Sequence, residues 1–580
     1  MKTLNLIFSI TVLSALFVAA GCSNAQLAKK RLGASDTAMT VMVDQVGYYP
    51  DGQKTALIRG NAEKFDVIDA VTGKVVFSGL TGEPGYWNLS GDTVRSADFT
   101  EVTDPGMYRI CLSGSDVCSP VFRIGEHVYT DITRAAVKAF YYNRSGYEIT
   151  AQYGSKWARP AGHPDTAVII HESAASRTRP AGTVISSPGG WYDAGDYNKY
   201  VVNSSITGYT LLLFYQLYPD YCRSLEVNIP ESGNGIADVV DELLYNFRWY
   251  LTMQDPEDGG VYHKLTTKNF DNFEMPDRDV QPRYVVQKST AATLDFAALT
   301  AMAYRVFAND PAEELRSLSA RCLEASEKAM KWAEKHPDII YRQPKDITTG
   351  AYGDDNVSDE LFWARTELAL AKNTRPEVDF IAGVRAGTPS WNQSATLGLM
   401  SLALSDNESF GNLREEARSL IVTYAGELLK KADACPYLIS LDWFAWGSNS
   451  DVANQAMLKI IAMKLTGDNK YMPYIQNEVD YLLGRNATGY CFVTGFGTIS
   501  PMNIHHRPSG ADGVAEPVPG FLVGGPNTVM MNDCGPQVKR SDFPARSYAD
   551  LECSYSTNEI CINWNAPLVF VLGSMDAMGN

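Results

Sequence analysis

Near residue 129 the hydrophobic pattern of this chain changes period, and that change limits the possible folds more than any other feature. Before it, from about 39 to 126, apolar residues come in short runs: Thr40-Val41-Met42-Val43, then 55–58, 65–68, 74–77, 107–111 and 121–124. Clusters of Gly, Pro, Asp and Asn, such as Asp104-Pro105-Gly106, separate them, which is the signature of a small β-sandwich. After it the period is helical. It opens at Ile132–Tyr142 and is clearest over Ile236–Met253, where Val239, Leu243, Phe247 and Leu251 form one stripe. Further amphipathic segments are predicted near 290–307, 312–335, 358–372, 391–404, 412–433, 451–465 and 470–484. Residues of about 485–557 are rich in Gly, Pro, Asn and His with little periodicity, which marks a functional face.

With 580 residues the chain exceeds one ordinary core, so at least two domains are expected. A formal net charge of −17 excludes a nucleic-acid partner, whose phosphates require Lys and Arg, and suits a neutral ligand. The 31 Tyr and 10 Trp suit a carbohydrate surface and a large aromatic core equally.

The first 21 residues read as an export signal: Lys2, an apolar run from Leu4 to Ala20, then Ala19-Ala20-Gly21-Cys22. The run is too short and wrongly flanked for a good membrane span. Its end resembles a bacterial lipobox with Ala19 in place of the usual Leu, which implies cleavage before Cys22 and lipidation there; a plain secretory signal is the alternative. Residues 22–38 form a small, polar linker. No acidic run follows Cys22, so the expected location is the outer membrane, with the periplasmic face favoured over the cell surface. Among the other cysteines, Cys111 and Cys118 flank a turn-like hexapeptide and suit a hairpin disulfide. The rest are expected as buried free thiols.

Chemistry concentrates in three segments. The first, Gly189-Gly190-Trp191-Tyr192-Asp193-Ala194-Gly195-Asp196-Tyr197, sets two carboxylates three residues apart beside aromatics. Asp-x-x-Asp alone is common and weak, and a loop Asx-turn pair is the alternative. The second is Val493-Thr494-Gly495-Phe496-Gly497 running on to Asn503-Ile504-His505-His506-Arg507. The third runs from Ser547 through Tyr555 and Asn558-Glu559 to Asn565-Ala566-Pro567-Leu568. Such residues can hold a water between acids, aim it at a glycosidic carbon and bind sugar hydroxyls.

Together with Pro230-Glu231-Ser232-Gly233-Asn234-Gly235 and Gly524-Gly525-Pro526-Asn527, these segments resemble glycoside hydrolase family 9, the inverting cellulase family, over about residues 130–580. Asp44-Gln45-Val46-Gly47-Tyr48 resembles the opening of the immunoglobulin-like module often fused ahead of that catalytic domain. The resemblance implies a mainly α chain: an (α/α)6 barrel over 129–580, preceded by an all-β immunoglobulin-like sandwich over 39–126. It implies hydrolysis of β-1,4-glucosidic bonds in cellulose-like, mixed-linkage or xyloglucan substrates, endo-acting in the main reading. An exo-acting oligosaccharide hydrolase of the same family and a non-catalytic glycan-binding lipoprotein are the alternatives. Asp196 is assigned as general base, Asp193 as its partner on the water and Glu559 as general acid. His505 and Arg507 are assigned to substrate near the cleavage point, and Tyr555 to the same pocket. Trp191, Trp443 and Trp446 suit sugar stacking, with core packing as an equal alternative.

No cofactor is required. The loop Asp354-Asp355-Asn356-Val357-Ser358-Asp359-Glu360 offers clustered oxygens for calcium, with Asp355, Asp359 and Glu360 as candidate ligands. The family often binds calcium at the equivalent loop; a helix start capped by Ser358 is the other reading. Many relatives with this domain order carry zinc near 145–163. Here Ser145 and Gly162 stand where cysteines are expected and only His163 remains, so no zinc is expected.

Overall fold

The structure is a computed structural model and describes residues 41–376 and 380–579. The export signal, Cys22 and the linker lie outside the described residues.

The first described residues build two packed sheets. The strands are β1 (Val41–Met42), β2 (Gly47–Tyr48), β3 (Thr55–Arg59), β4 (Lys64–Asp69), β5 (Val75–Leu80), β6 (Gly85–Trp87), β7 (Asp92–Asp98), β8 (Gly106–Leu112) and β9 (Phe122–Ile124). One sheet has the order β1-β3-β7-β6 and the other β2-β9-β8-β4-β5. Alternation sets the inward faces: Phe65 and Val67 of β4 and Ala56 and Ile58 of β3 are buried in the shared core. Strand β7 was not legible in the sequence because Asp92, Arg95, Ser96 and Asp98 break up its apolar residues. Cys111 and Cys118 are disulfide-bonded across the expected hairpin.

The helical part is organised by α1 (Thr130–Tyr142), α2 (Val201–Leu217), α3 (Asp238–Tyr250), α4 (Thr290–Phe307), α5 (Glu313–Lys335), α6 (Ser358–Lys372), α7 (Ala395–Ala403), α8 (Gly411–Ala434), α9 (Ser448–Thr466), α10 (Met472–Leu482) and α11 (Ile562–Met578). Helix α2 packs on α4, α4 on α6, α6 on α7, α7 on α8, α8 on α9, and α9 on α11, which returns to α2 and closes the ring. This is an (α/α)6 barrel. Helices α2, α4, α9 and α11 are buried on nearly every face, whereas α5 and α8 bury one stripe and leave charged residues in solvent. Within the barrel chain a further sheet runs β11-β10-β14-β13-β12, from β10 (Val168–Ile170), β11 (Val184–Ile185), β12 (Lys199–Tyr200), β13 (Lys264–Thr266) and β14 (Tyr284–Val285). Strand β12 leads directly into α2 and anchors the turn that precedes it.

The sandwich is clamped to the barrel. Trp87 lies 4.8 Å from Tyr437 and 6.0 Å from Phe444, ring to ring. Gln45 Oε1 accepts from the N–H groups of Thr498 and Ile499, and its Nε2 donates to the Gly489 carbonyl. Tyr129, at the start of the barrel, donates to Asp44 Oδ2 at 2.9 Å.

Candidate active site

Three segments remote in sequence are knitted together at one end of the barrel. Between Asp193 and Asn198 the chain reverses, with the Asp193 N–H donating to the Asn198 carbonyl at 3.0 Å. Ala194 bridges Cys561 in antiparallel register, and the Ile562 N–H donates to the Asp193 carbonyl at 2.9 Å. His505 runs parallel to Glu559, and its N–H donates to the Asn558 carbonyl at 2.9 Å. The Gly195 carbonyl accepts from the Arg507 N–H at 3.1 Å and from its Nη1 at 2.8 Å. A Cβ on Gly195 would overlap the His505 carbonyl, so the approach of these strands requires glycine at 195.

The backbone pairing sets three carboxyls in one electrostatic cluster. Asp193 is buried; its Oδ1 accepts from Asn203 Nδ2 at 2.6 Å and its Oδ2 from the Tyr352 hydroxyl at 2.7 Å. Burial, and then the negative charge of Asp196, pushes the Asp193 carboxyl up to about 8. Asp196 Oδ2 accepts from Asn198 Nδ2 and from the Tyr200 hydroxyl, the latter at 3.3 Å. Glu559 keeps a partial opening to solvent, yet its carboxyl is held well above the usual range. Lost hydration is the main cause and the charge of Asp196 the next; Arg507 opposes and Asp193 adds. The arrangement favours the protonated form of Glu559 in one cluster with an aspartate pair, the division a general acid and a water-activating base require.

Around the acids, Arg507 is buried, with Nε donating to the Asp271 carbonyl at 3.1 Å and its guanidinium over the rings of Phe270 and Phe273. His505 is half-buried; its Nδ1 lies 2.7 Å from the Glu552 carbonyl, and burial lowers its pKa. Tyr555 lies 5.8 Å from His505 and 5.4 Å from Trp446, ring to ring, so a row of half-open rings leads away from the acids. Trp446 is 44% exposed and Trp443 64%. Trp191 is different: it is buried, packs on Phe140 and donates its indole N–H to Glu242, so it is a core residue and offers no stacking face. His506 is also a satisfied structural residue, buried against Phe521 with Nδ1 2.9 Å from Ser509 Oγ.

Sequence reasoning missed Tyr352, Asn203, Asn198 and Tyr200. All four donate to the two aspartates, but each type is common and the pairings appear only in space. Tyr352 alone carried a faint signal, its place between Gly350 and Gly353; it adopts a left-handed φ of 48°. A second disulfide, Cys534–Cys553, overturns the expectation of free thiols there; it ties a loop to the segment bearing Tyr555 and Glu559. Cys222, Cys322, Cys435, Cys491 and Cys561 are free.

At the acidic loop Asp355 turns outward to Arg342, 2.8 Å away, and does not join Asp359 and Glu360. Its place is taken by Asp354 and by Asp295 of α4, whose charges reach Asp359 and Glu360. Asp295 Oδ1 and Glu360 Oε2 are buried without a hydrogen-bond partner, and lost hydration with mutual repulsion pushes both carboxyls up, Glu360 to about 11. Among the described residues no three His, Cys, Asp or Glu side chains already stand in metal-ligating geometry. At 145–163, His163 is engaged by the Tyr192 hydroxyl at 2.8 Å and Asp279 at 2.9 Å. Gly162 lies against the Pro276 carbonyl with no room for a Cβ.

Similarity to known proteins follows the same division. Residues 129–572 match the family described as Glycosyl hydrolase family 9, and residues 36–117 match the Cellulase N-terminal ig-like domain. A xyloglucan-specific endo-β-1,4-glucanase of Bacteroides ovatus is 42% identical over 557 residues, 93% of this chain and 94% of its own. Endoglucanase D of Acetivibrio thermocellus is 31% identical over 554 residues, 92% of this chain and 82% of its own. The solved structure described as Bacteroides ovatus GH9 superposes with a TM-score of 0.85 at 40% identity, covering 93% of this chain and 99% of that one. With its family match spanning the whole helical barrel and the acids gathered at one end of it, this chain belongs to glycosyl hydrolase family 9.

Proposed function

We propose that this chain is an inverting endo-β-1,4-glucanase whose preferred substrate is xyloglucan. The observation that carries the reading is the pairing of the 193–196 turn with the 559–562 segment, which brings Asp193, Asp196 and Glu559 within reach of one another's charge. Burial and the charge of Asp196 favour the protonated form of Asp193, and Asp196 takes the base role. Water, held by Asp196 and Asp193, attacks the anomeric carbon as the glycosidic C–O bond breaks. Asp196 takes the proton from the water, and Glu559 gives its own to the leaving oxygen. Both return to their starting states by exchange with solvent. One displacement inverts the anomeric centre, and carboxyls roughly 6.5–9.5 Å apart leave room for the water. His505 and Arg507 bind sugar hydroxyls beside the cleaved bond, while Trp446 and Tyr555 supply stacking surface.

The xyloglucan assignment is supported by the 42% identical relative, which aligns over nearly both full lengths. Its test is a panel of xyloglucan, mixed-linkage β-glucan and carboxymethylcellulose with product sizing over time. The expected result is a rapid fall in xyloglucan chain length, with every activity lost in Asp196→Asn. Release of one short product from chain ends, or equal turnover by Asp196→Asn, contradicts the reading.

The buried orphan oxygens of Asp295 and Glu360 fit a hard cation, so calcium held with Asp359 and Asp354 belongs to the proposal, as a brace between α4 and α6. A chelator then lowers Tm and calcium restores it; an unchanged Tm removes the assignment. No thiolate pair stands at 145 and 162, so zinc has no part in it. The Cys22 anchor completes the proposal at the periplasmic face of the outer membrane: palmitate labelling is expected to disappear in Cys22→Ala, and a labelled variant contradicts it.

A further inference from the structure

Lys264, on β13, is wholly buried, and among the described residues no carboxylate lies within ion-pair distance of it. An unpaired ammonium in the interior is costly, and its hydrogen bonds show what it does. Its three donors reach Gln343 Oε1 at 3.2 Å, Thr349 Oγ1 at 2.9 Å and the Gly350 carbonyl at 2.5 Å. Its Nζ also lies 5.4 Å from the centre of the Tyr200 ring and 6.0 Å from that of Tyr341.

An ammonium cannot accept a hydrogen bond, so the Thr349 hydroxyl must donate onward. The Thr266 hydroxyl, 2.7 Å away, is in reach of that proton. The Thr266 hydroxyl has two acceptors in reach, Asn198 Oδ1 at 2.9 Å and the Thr267 carbonyl at 2.8 Å, and the Thr267 N–H donates to the same Asn198 oxygen at 3.0 Å. The Asn198 amide is thereby turned with Nδ2 toward Asp196 Oδ2. The second donor on that oxygen is Tyr200, the ring beneath which Lys264 sits. One of the two hydrogen bonds on Oδ2 thus traces back to the ammonium, which also lies against the ring that supplies the other.

We propose that Lys264 is a positioning residue for Asp196: it aims a chain of donors at Oδ2 and sets a positive charge behind the carboxylate, leaving Oδ1 for the water. The inference rests on Asp196 being the base. The groups facing Asp196 are the acids Asp193 and Glu559, the hydroxyl of Tyr200, and Arg507 and His505 across the cleft. Those facing Lys264 are Tyr200, Tyr341, and His263 stacked on Tyr341. Burial lowers the Lys264 ammonium to about 7, and Asp196 is the charge that opposes this, so the two groups sense one another.

The test is the pH profile of kcat/KM for Lys264→Met and Thr349→Val on the full chain, with near-UV circular dichroism to show that each is folded. Lys264→Met is expected to move the midpoint of the acidic limb up by about one pH unit and to lower kcat/KM about tenfold at pH values below it, with KM within about twofold. Thr349→Val keeps the charge but breaks the chain, so kcat is expected to fall several-fold at all pH values with a smaller movement of the limb. A folded Lys264→Met with an unmoved limb overturns the proposal. Should Lys264→Met not fold, Thr349→Val with unchanged kcat overturns it. Asp196→Asn tests the underlying reading separately: azide is expected to restore turnover to it, and an Asp196→Asn enzyme active without azide sinks the base assignment whatever Lys264 does.

Discussion

Asp193 holds its proton into the neutral range because it is buried beside Asp196. In the unfolded chain an aspartate releases its proton near pH 3.9. Between that value and about 8 the folded chain binds one proton more than the unfolded chain, so this carboxyl's contribution to stability falls as pH rises. The contribution is fully present below the unfolded value and lost as pH climbs through about 8. Asp193→Asn removes the ionisation while keeping partners for Asn203 and Tyr352. Its Tm at pH 8 should exceed that of the wild type by about 2 °C, with the gap closing toward pH 4 and activity lost throughout. A lower Tm at pH 8 contradicts the cause given for the raised pKa. At this scale the motifs that resemble the family marked Asp193, Asp196 and Glu559 as candidates, and the fold brings their segments together; Asp-x-x-Asp alone is too common to have done so. The sequence did not reveal their partners. Asn203 lies on a helix with no polar stripe to mark it, and Tyr352 is 159 residues from the carboxylate it serves. Trp191 read equally as a stacking face or a core residue, because composition carries no information on which side of the chain the core lies.

Among the elements, the Cys534–Cys553 loop bears most directly on the cleft. It spans 19 residues and ends two positions before Tyr555. Asp533, beside the bridge, accepts from the Ser556 N–H at 3.0 Å, so the loop positions the segment that leads to Glu559. Closing a loop of this size stabilises by about 3 kcal/mol in the chain-entropy account. Cys553→Ser with Cys534→Ser should therefore lower Tm and raise KM on xyloglucan several-fold, with a smaller change in kcat; an unchanged KM contradicts a role in the cleft wall. The helices show where sequence reading succeeds. Outer helices such as α5 and α8 were legible to within a residue or two because solvent on one side imposes a 3.6-residue stripe. Helices α2 and α11 were not legible, being enclosed on nearly every face with no solvent-facing stripe to mark their period. The strand pairing of Ala194 with Cys561 was equally hidden, since each partner contributes a single bridge residue and no run.

Across the whole molecule, the sandwich acts as a brace on the barrel. Met42, Leu57, Trp87 and Val94 belong to the barrel's core cluster, not to the core between the two sheets. Trp87 fills the join against Tyr437 and Phe444, and Tyr437 donates to the buried Asp92 at 2.8 Å. Trp87→Ala should cost about 3–5 kcal/mol and lower the Tm of the barrel as well as of the sandwich. A barrel transition at the wild-type temperature, read by loss of activity on heating, contradicts the brace. The same rigidity fixes the acids at one end of the ring, where the proposed mechanism has one water and one proton donor act on a single linkage. The direct measurement of that arrangement is the anomeric configuration of freshly released reducing ends, followed by proton NMR before mutarotation. The account predicts that the α anomer appears first from a β-linked glucan. A β anomer appearing first means a covalent intermediate, and contradicts the assignment of Asp196 as a base acting through water.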